Sequence, residues 1–268
     1  MQHMSVRLFL SHPIFTKVST SAASTLVFLL ALPVLNAGCP QTAKITATPA
    51  QVHLGLERAP ATTMVITWRS ATPHGEVRYS AEKHPQQRQA AQSTAYAGGY
   101  LHHAYLTGLV PNTRYRYRCG HGAHLSASYR FMTAPAPSAA TPLRIVALGD
   151  SRSNDRVHRR IIRAVLGEKP RIVLHTGDMV QTGDRQDQWD RFFTIAEPLA
   201  ARVATLSAIG NHERNDGRYY TQLVLPTHGA WPARAYAPEA FYALDYGFLH
   251  LIVLSTEPVG PPTGPQTR

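Results

Sequence analysis

One arrangement recurs three times in the second half of this chain, and it constrains the fold more than any other feature. A short apolar run ends on a glycine followed by a polar, ligand-type residue. Residues 143–148 run into Gly149-Asp150, residues 171–176 into Gly177-Asp178, and residues 204–209 into Gly210-Asn211-His212-Glu213. Helical spacing lies between them. Residues 156–166 place Val157, Ile161, Ile162 and Val165 three or four apart, and residues 188–201 supply a second helix. Strand, helix, strand, helix, strand predicts parallel pairing through right-handed crossovers. All three strands then end on one edge of the sheet, the edge at which open α/β sheets bind ligands.

Asp150, Asp178 and Asn211 should therefore converge. Carboxylates and an amide oxygen are hard donors, suited to Mn, Fe or Mg and, with histidines, to Zn. One aspartate can bridge two ions that polarise a phosphate and deprotonate a water between them. The glycine before each ligand is expected to let the backbone turn sharply and to keep a Cβ out of the metal's approach.

Residues 44–135 read differently. Short alternating segments are separated by frequent turns, with no helical stretch. Met64, Ile66 and Trp68 share one face, as do Tyr115, Tyr117 and Cys119, and residues 126–133 read as a last strand. This predicts an antiparallel sandwich with Trp68 in its core. The turn over residues 109–114 feeds Tyr115 in the manner of a tyrosine corner, whose hydroxyl bonds back to the turn backbone. The proline-broken residues 136–142 form a linker.

The order Gly-Asp, Gly-Asp, Gly-Asn-His-Glu resembles the calcineurin-like metallophosphoesterases. The preceding domain, which resembles a fibronectin type III module, narrows the likeness to relatives of the purple acid phosphatases. That resemblance implies two domains: an all-β fibronectin III-like sandwich over residues 40–135, then an incomplete α/β (α/β/β/α sandwich) metallophosphoesterase domain over residues 143–268. It implies Asp150 on a first metal, Asp178 bridging, Asn211 on a second, and His212 near the leaving-group oxygen. Two divalent or trivalent ions (Fe, Mn or Zn) and a small phosphoester substrate, cleaved by metal-bound hydroxide, come with it.

Three departures accompany the likeness. Gln181 stands where purple acid phosphatases carry a metal-bound tyrosine. Arg152 stands where other members carry a metal-binding histidine; a guanidinium cannot ligate a metal, but it can grip a phosphate bidentately or pair with a carboxylate such as Asp155. The family's later histidine and Gly-His-x-His motif do not occur in the sequence. The chain is accordingly expected to carry the first half of the domain, C-terminally truncated, inactive or incomplete as written, with its last apolar strand at residues 249–254 left partly uncovered. His175 and His250 read as structural, and His228 as a loop histidine. The alternative reading is a non-catalytic cell-envelope protein that binds through the sandwich.

The net charge of +11 is unevenly placed. Residues 42–135 hold ten Lys/Arg against three Asp/Glu, whereas residues 143–268 hold fifteen against thirteen. A basic first domain can contact an anionic cell surface. No recognition motif accompanies it, so sequence-specific nucleic-acid binding is not expected. At the N-terminus, Arg7 and Lys17 precede an apolar run, residues 25–35, too short to span a bilayer. Residues 1–39 therefore read as an export signal. The segment before Cys39 also resembles a lipoprotein signal, which would make Cys39 a lipid anchor; ordinary cleavage near Ala37 is the alternative. The chain is then periplasmic, envelope-bound or secreted. Cys119 either pairs with Cys39 or stays a buried thiol.

Overall fold

The computed structural model describes residues 45–139, 141–227 and 239–255. The export segment, Cys39 and His228 lie outside the described residues.

Nine strands make the first domain: β1 (Ala50–Gly55), β2 (Met64–Ser70), β3 (Glu76–Ala81), β4 (Gln87–Ala90), β5 (Gln92–Tyr96), β6 (Gly99–Leu106), β7 (Arg114–His121), β8 (His124–Leu125) and β9 (Tyr129–Met132). One antiparallel sheet runs β1-β2-β6-β5; the other runs β4-β3-β7, with β8 and β9 both on β7. Trp68, Ile66, Val77, Tyr117 and Cys119 fill the space between the sheets. The Val110 N–H donates to the Tyr115 hydroxyl at 2.9 Å, the bond expected of a tyrosine corner. Cys119 is a buried free thiol, pushed up to about 12 by burial. The last strand is shorter than its pattern, because Ser126 turns inward to accept the Cys119 N–H at 3.1 Å.

Alternation predicts one buried face for β2, yet β2 is buried along its whole length. The second domain covers the outer face of its sheet. Arg69 pairs with Asp190, the Gln51 amide donates to Asp190 at 3.1 Å, and His53 stacks on Phe193 at 4.3 Å. From the other sheet, the Tyr117 hydroxyl donates to the Ala201 carbonyl and the Tyr129 hydroxyl to Glu197, at 2.7 and 2.6 Å. The two domains thus share a desolvated polar interface.

In the second domain β10 (Ile145–Leu148), β11 (Ile172–His175) and β12 (Thr205–Ser207) form a parallel sheet in the order β10-β11-β12. Helix α1 (Asp155–Glu168) starts at Asn154, whose side chain accepts the Val157 N–H at 3.1 Å. Its buried face is His158, Ile162 and Val165. Val157 and Ile161, expected on that face, are 44% and 37% exposed. They sit one position back, about 100° around the helix from the inward direction. Helix α2 (Gln186–Ala200) buries Trp189, Phe192, Phe193, Ile195 and Leu199, each contributing roughly 2 kcal/mol by removal from water. A short helix, α3 (Gly217–Gln222), follows the third strand.

The hairpin β13 (Tyr242–Tyr246) and β14 (Leu249–Val253) is tied back by two tyrosine hydroxyls. Tyr242 donates to the Ser207 carbonyl at 2.8 Å and Tyr246 to the Arg171 carbonyl at 2.9 Å. On β14 and its flanks Phe248, Ile252 and Leu254 are exposed. His250 lies on this hairpin against Asp245 at 2.6 Å.

Candidate functional site

In-register parallel pairing brings the ends of β10, β11 and β12 to one edge, and the three polar residues follow within four positions of those ends. The backbone turn is made by the ligand residues themselves. Asp150 and Asp178 adopt φ of +53° and +59°, the left-handed region that Asp and Asn tolerate better than most residues. This corrects the role expected of the glycines. A Cβ on Gly149 would stand 2.1 Å from Thr176 Oγ1, and one on Gly210 would stand 2.3 Å from Asp178 Oδ1. Of the three, Gly177 alone has a positive φ, +96°, and its Cβ would meet the Gly210 nitrogen at 2.7 Å. The glycines let neighbouring loops touch; the aspartates bend them.

Glu213, to which the sequence assigned no role, locks two of these loops together. Its fully buried carboxylate accepts four backbone N–H groups: Asp178 at 2.9 Å, Met179 at 2.7 Å, Val180 at 3.3 Å and Gly210 at 2.7 Å. Burial pushes its carboxyl up, while those four N–H groups pull it down. Its position in Gly-Asn-His-Glu was visible; that a buried carboxylate can replace a ladder of backbone acceptors was the missing signal.

His175 holds the first loop. The Gly177 N–H donates to its Nδ1 at 3.2 Å, so the ring proton sits on Nε2, which donates to the Ser151 hydroxyl at 3.2 Å. Burial lowers this histidine to about 3, and it remains neutral. It is structural, as expected.

The predicted site residues divide. Asp150 and Asp178 are brought together, and Arg152 lies between them. Its Nη1 contacts Asp150 Oδ1 and stands 2.9 Å from Asp178 Oδ2. This guanidinium holds the Asp150 carboxyl below the usual carboxylate range. Asp155 instead faces Arg191 at 3.8 Å, so the pairing of Arg152 is with the two edge aspartates. Asn211 opens a single 3₁₀ turn (Asn211–Glu213) and is exposed. His212 donates its backbone N–H to Asp178 Oδ1 at 3.2 Å. Its Nδ1 lies 2.8 Å from the Gln181 carbonyl, which can only accept, so Nδ1 carries a proton. A cavity of about 310 Å³ opens beside Arg152, between α1 and α2, and reaches Gln181, Gln188 and Arg191.

The donor chemistry decides whether these residues fit a pair of metals. Two carboxylates that converge attract a cation, and here the cation is the chain's own guanidinium. Among the described residues no group of three or more His, Cys, Asp or Glu side chains is placed to hold a metal ion. The described residues, as arranged, do not fit a dinuclear centre: Asp150 and Asp178 are already spent on Arg152.

Comparison with known proteins agrees with the two-domain layout. A family model described as the purple acid phosphatase N-terminal domain matches residues 49–133, and the calcineurin-like phosphoesterase model matches residues 143–255. Mouse acid phosphatase type 7 is 31% identical over 227 residues, covering 78% of this chain and 49% of that protein. An Arabidopsis thaliana protein named probable inactive purple acid phosphatase 1 is 32% identical over 189 residues, 59% of this chain and 30% of its own length. A purple acid phosphatase from yellow lupin seeds superposes with a TM-score of 0.68 at 22% identity, over 82% of this chain and 47% of that one, and shows the shared fold. The chain spans about half the length, or less, of these relatives. Purple acid phosphatases are hydrolases that bind a dinuclear metal centre. By its two domains, their order and their sequence, this chain belongs to the purple acid phosphatase family of calcineurin-like phosphoesterases.

Proposed function

We propose that this chain is an exported phosphomonoesterase-type protein whose reactive edge is occupied by its own Arg152, and that it hydrolyses phosphoesters slowly or not at all in that state. One observation carries the reading: a single guanidinium nitrogen serves both Asp150 and Asp178. Two carboxylates against one guanidinium leave an excess negative charge, which repels a phosphate rather than holding it. Arg152 is therefore a counter-ion here, and it becomes a phosphate ligand only if something else satisfies the carboxylates.

The remaining groups are arranged for phosphoester chemistry. His212, anchored through Nδ1, presents Nε2, which can protonate a leaving-group oxygen when the ring carries both protons. Metals of the family's kind (Fe, Mn or Zn) would supply charge to draw phosphate in only once Arg152 had released Asp150 and Asp178; this chain's part is to hold those two aspartates and Asn211 on one sheet edge. Export is supported by the basic flank and short apolar run of residues 1–39; a lipid on Cys39 would hold the chain at the membrane, whereas cleavage near Ala37 would release it.

Hydrolysis of an aryl phosphate by the full chain, with Mn, Fe or Zn added, tests this reading, and Asp178→Asn is the comparison. We expect no hydrolysis that depends on Asp178. Activity abolished by Asp178→Asn would overturn the Arg152-occupied state.

A further inference from the structure

We propose that the groove between the two domains, on the side away from Asp150 and Asp178, binds a linear phosphate polymer. Six cations line it: Arg114, Arg116 and Arg130 from the sandwich, and Lys169, Arg171 and Arg202 from the second domain. The groove encloses about 720 Å³, and no carboxylate is among its lining residues. Arg114, Arg116, Arg130 and Lys169 have no ion pair among the described residues.

Three observations argue that this charge is kept for a ligand. First, Arg116 and Arg130 are directly opposed across β7 and β9. Like charges at that spacing destabilise a sheet by up to about 1 kcal/mol, and among the described residues neither arginine has an ion pair. Second, Arg171 is held in place, donating to Asn112 Oδ1 at 2.9 Å and to the Thr133 carbonyl at 3.1 Å, yet its buried Nε has no partner. Third, a second cavity of about 380 Å³ across the outer face of the sheet shares Arg114, Arg116 and Arg130 with the groove and adds Lys83, with Glu82 as its one carboxylate. The cationic track is thus longer than one phosphate group.

The shape selects the occupant. Lys169 and Arg171 precede β11 and Arg202 precedes β12, so the groove lies at the amino edge of the parallel sheet. Asp150 and Asp178 end the opposite edge, across strands of about 13 Å for four residues. The track therefore does not lead substrate into the reactive edge. It is concave, so a flat bilayer would reach only its rim. Its aromatic lining residue, Phe131, is buried, so the lining offers no exposed aromatic platform to stack nucleic-acid bases. A flexible polyphosphate, all charge and no bases, fits these conditions.

Binding of labelled long-chain inorganic polyphosphate to the full chain tests the proposal, read by fluorescence anisotropy over a salt series. The double variant Arg116→Ser/Arg130→Ser should bind roughly tenfold more weakly and with a shallower salt slope, because fewer counterions are released. The variant Arg159→Ser/Arg163→Ser removes equal charge from the exposed side of α1 and should bind like the parent. The single variant Arg114→Ser gives an independent reading should the double variant lose its fold. Equal losses in both double variants would reduce the effect to net charge and overturn the groove. Displacement of polyphosphate by anionic vesicles or single-stranded DNA at equal phosphate concentration would overturn the choice of ligand, and absence of binding would overturn the site.

Discussion

Glu213 accepts the backbone N–H of Asp178 at 2.9 Å and, through the same carboxylate, the N–H groups of Met179, Val180 and Gly210. The carboxylate thus substitutes for backbone acceptors at the point where two strand-end loops meet. Replacing Glu213 with Ala would strand four donors at a fully buried position. The expected loss is about 3 kcal/mol or more, since each unmet buried donor costs roughly 1–3 kcal/mol. Glu213→Gln should recover only part of it, because one amide oxygen faces four donors while its NH₂ meets another donor. Urea denaturation of the three proteins measures this; equal stability of Glu213→Ala and the parent would show that the loops close without it.

Arg152 competes with any metal ion for Asp150 and Asp178. Arg152→Ala should therefore raise the affinity for Mn by tenfold or more, roughly the worth of one charge-assisted pair at a partly exposed site. Titration calorimetry with Mn on parent, Arg152→Ala and Arg152→Ala/Asp178→Asn reads it directly. Unchanged affinity in Arg152→Ala would show that the guanidinium is not the obstacle.

Arg69 and Asp190 pair across the domain boundary, with side chains 1% and 11% exposed. Arg69→Ala leaves Asp190 with the Gln51 and Gln186 amides alone, and should cost about 3–5 kcal/mol, as removal of one partner from a buried pair does. The double change Arg69→Met/Asp190→Leu should cost much less, because no uncompensated charge remains. A denaturation cycle over the three variants checks the coupling, and a similar loss in single and double variants would place the energy in packing instead.

Buried neutral histidines set an acid limit. Burial lowers His102 and His158 from 6.5 to about 4 and His175 from 6.5 to about 3. The unfolded chain therefore takes up these protons first as pH falls. The stability they contribute is complete above about pH 6.5 and declines towards pH 4, by up to about 1.4 kcal/mol per pH unit for each. Unfolding free energy at pH 7 and pH 5 tests the sign, and His102→Gln should flatten the slope.

Much of this architecture was legible because it rests on periodicity. Alternation placed Met64, Ile66 and Trp68 inward, and three apolar runs with helices between them fixed parallel pairing and hence the shared edge for Asp150, Asp178 and Asn211. What escaped depends on contacts between distant residues. The partner of Arg152 is set as much by Asp178 as by its neighbour Asp150, and the nearby Asp155 went to Arg191 instead. The outer face of β2 reads as solvent until α2 is seen against it. Cross-strand opposition of Arg116 and Arg130 requires the register of β7 and β9, which composition alone does not supply.

The left-handed backbone at Asp150 and Asp178 bears on how such a site can change over generations. Only Asp, Asn and Gly hold that conformation at low cost, so drift at these two positions is confined to a narrow alphabet whatever becomes of the chemistry. Aspartates there can outlive the reaction they once served, and their presence in a descendant is a record of backbone shape before it is a record of catalysis.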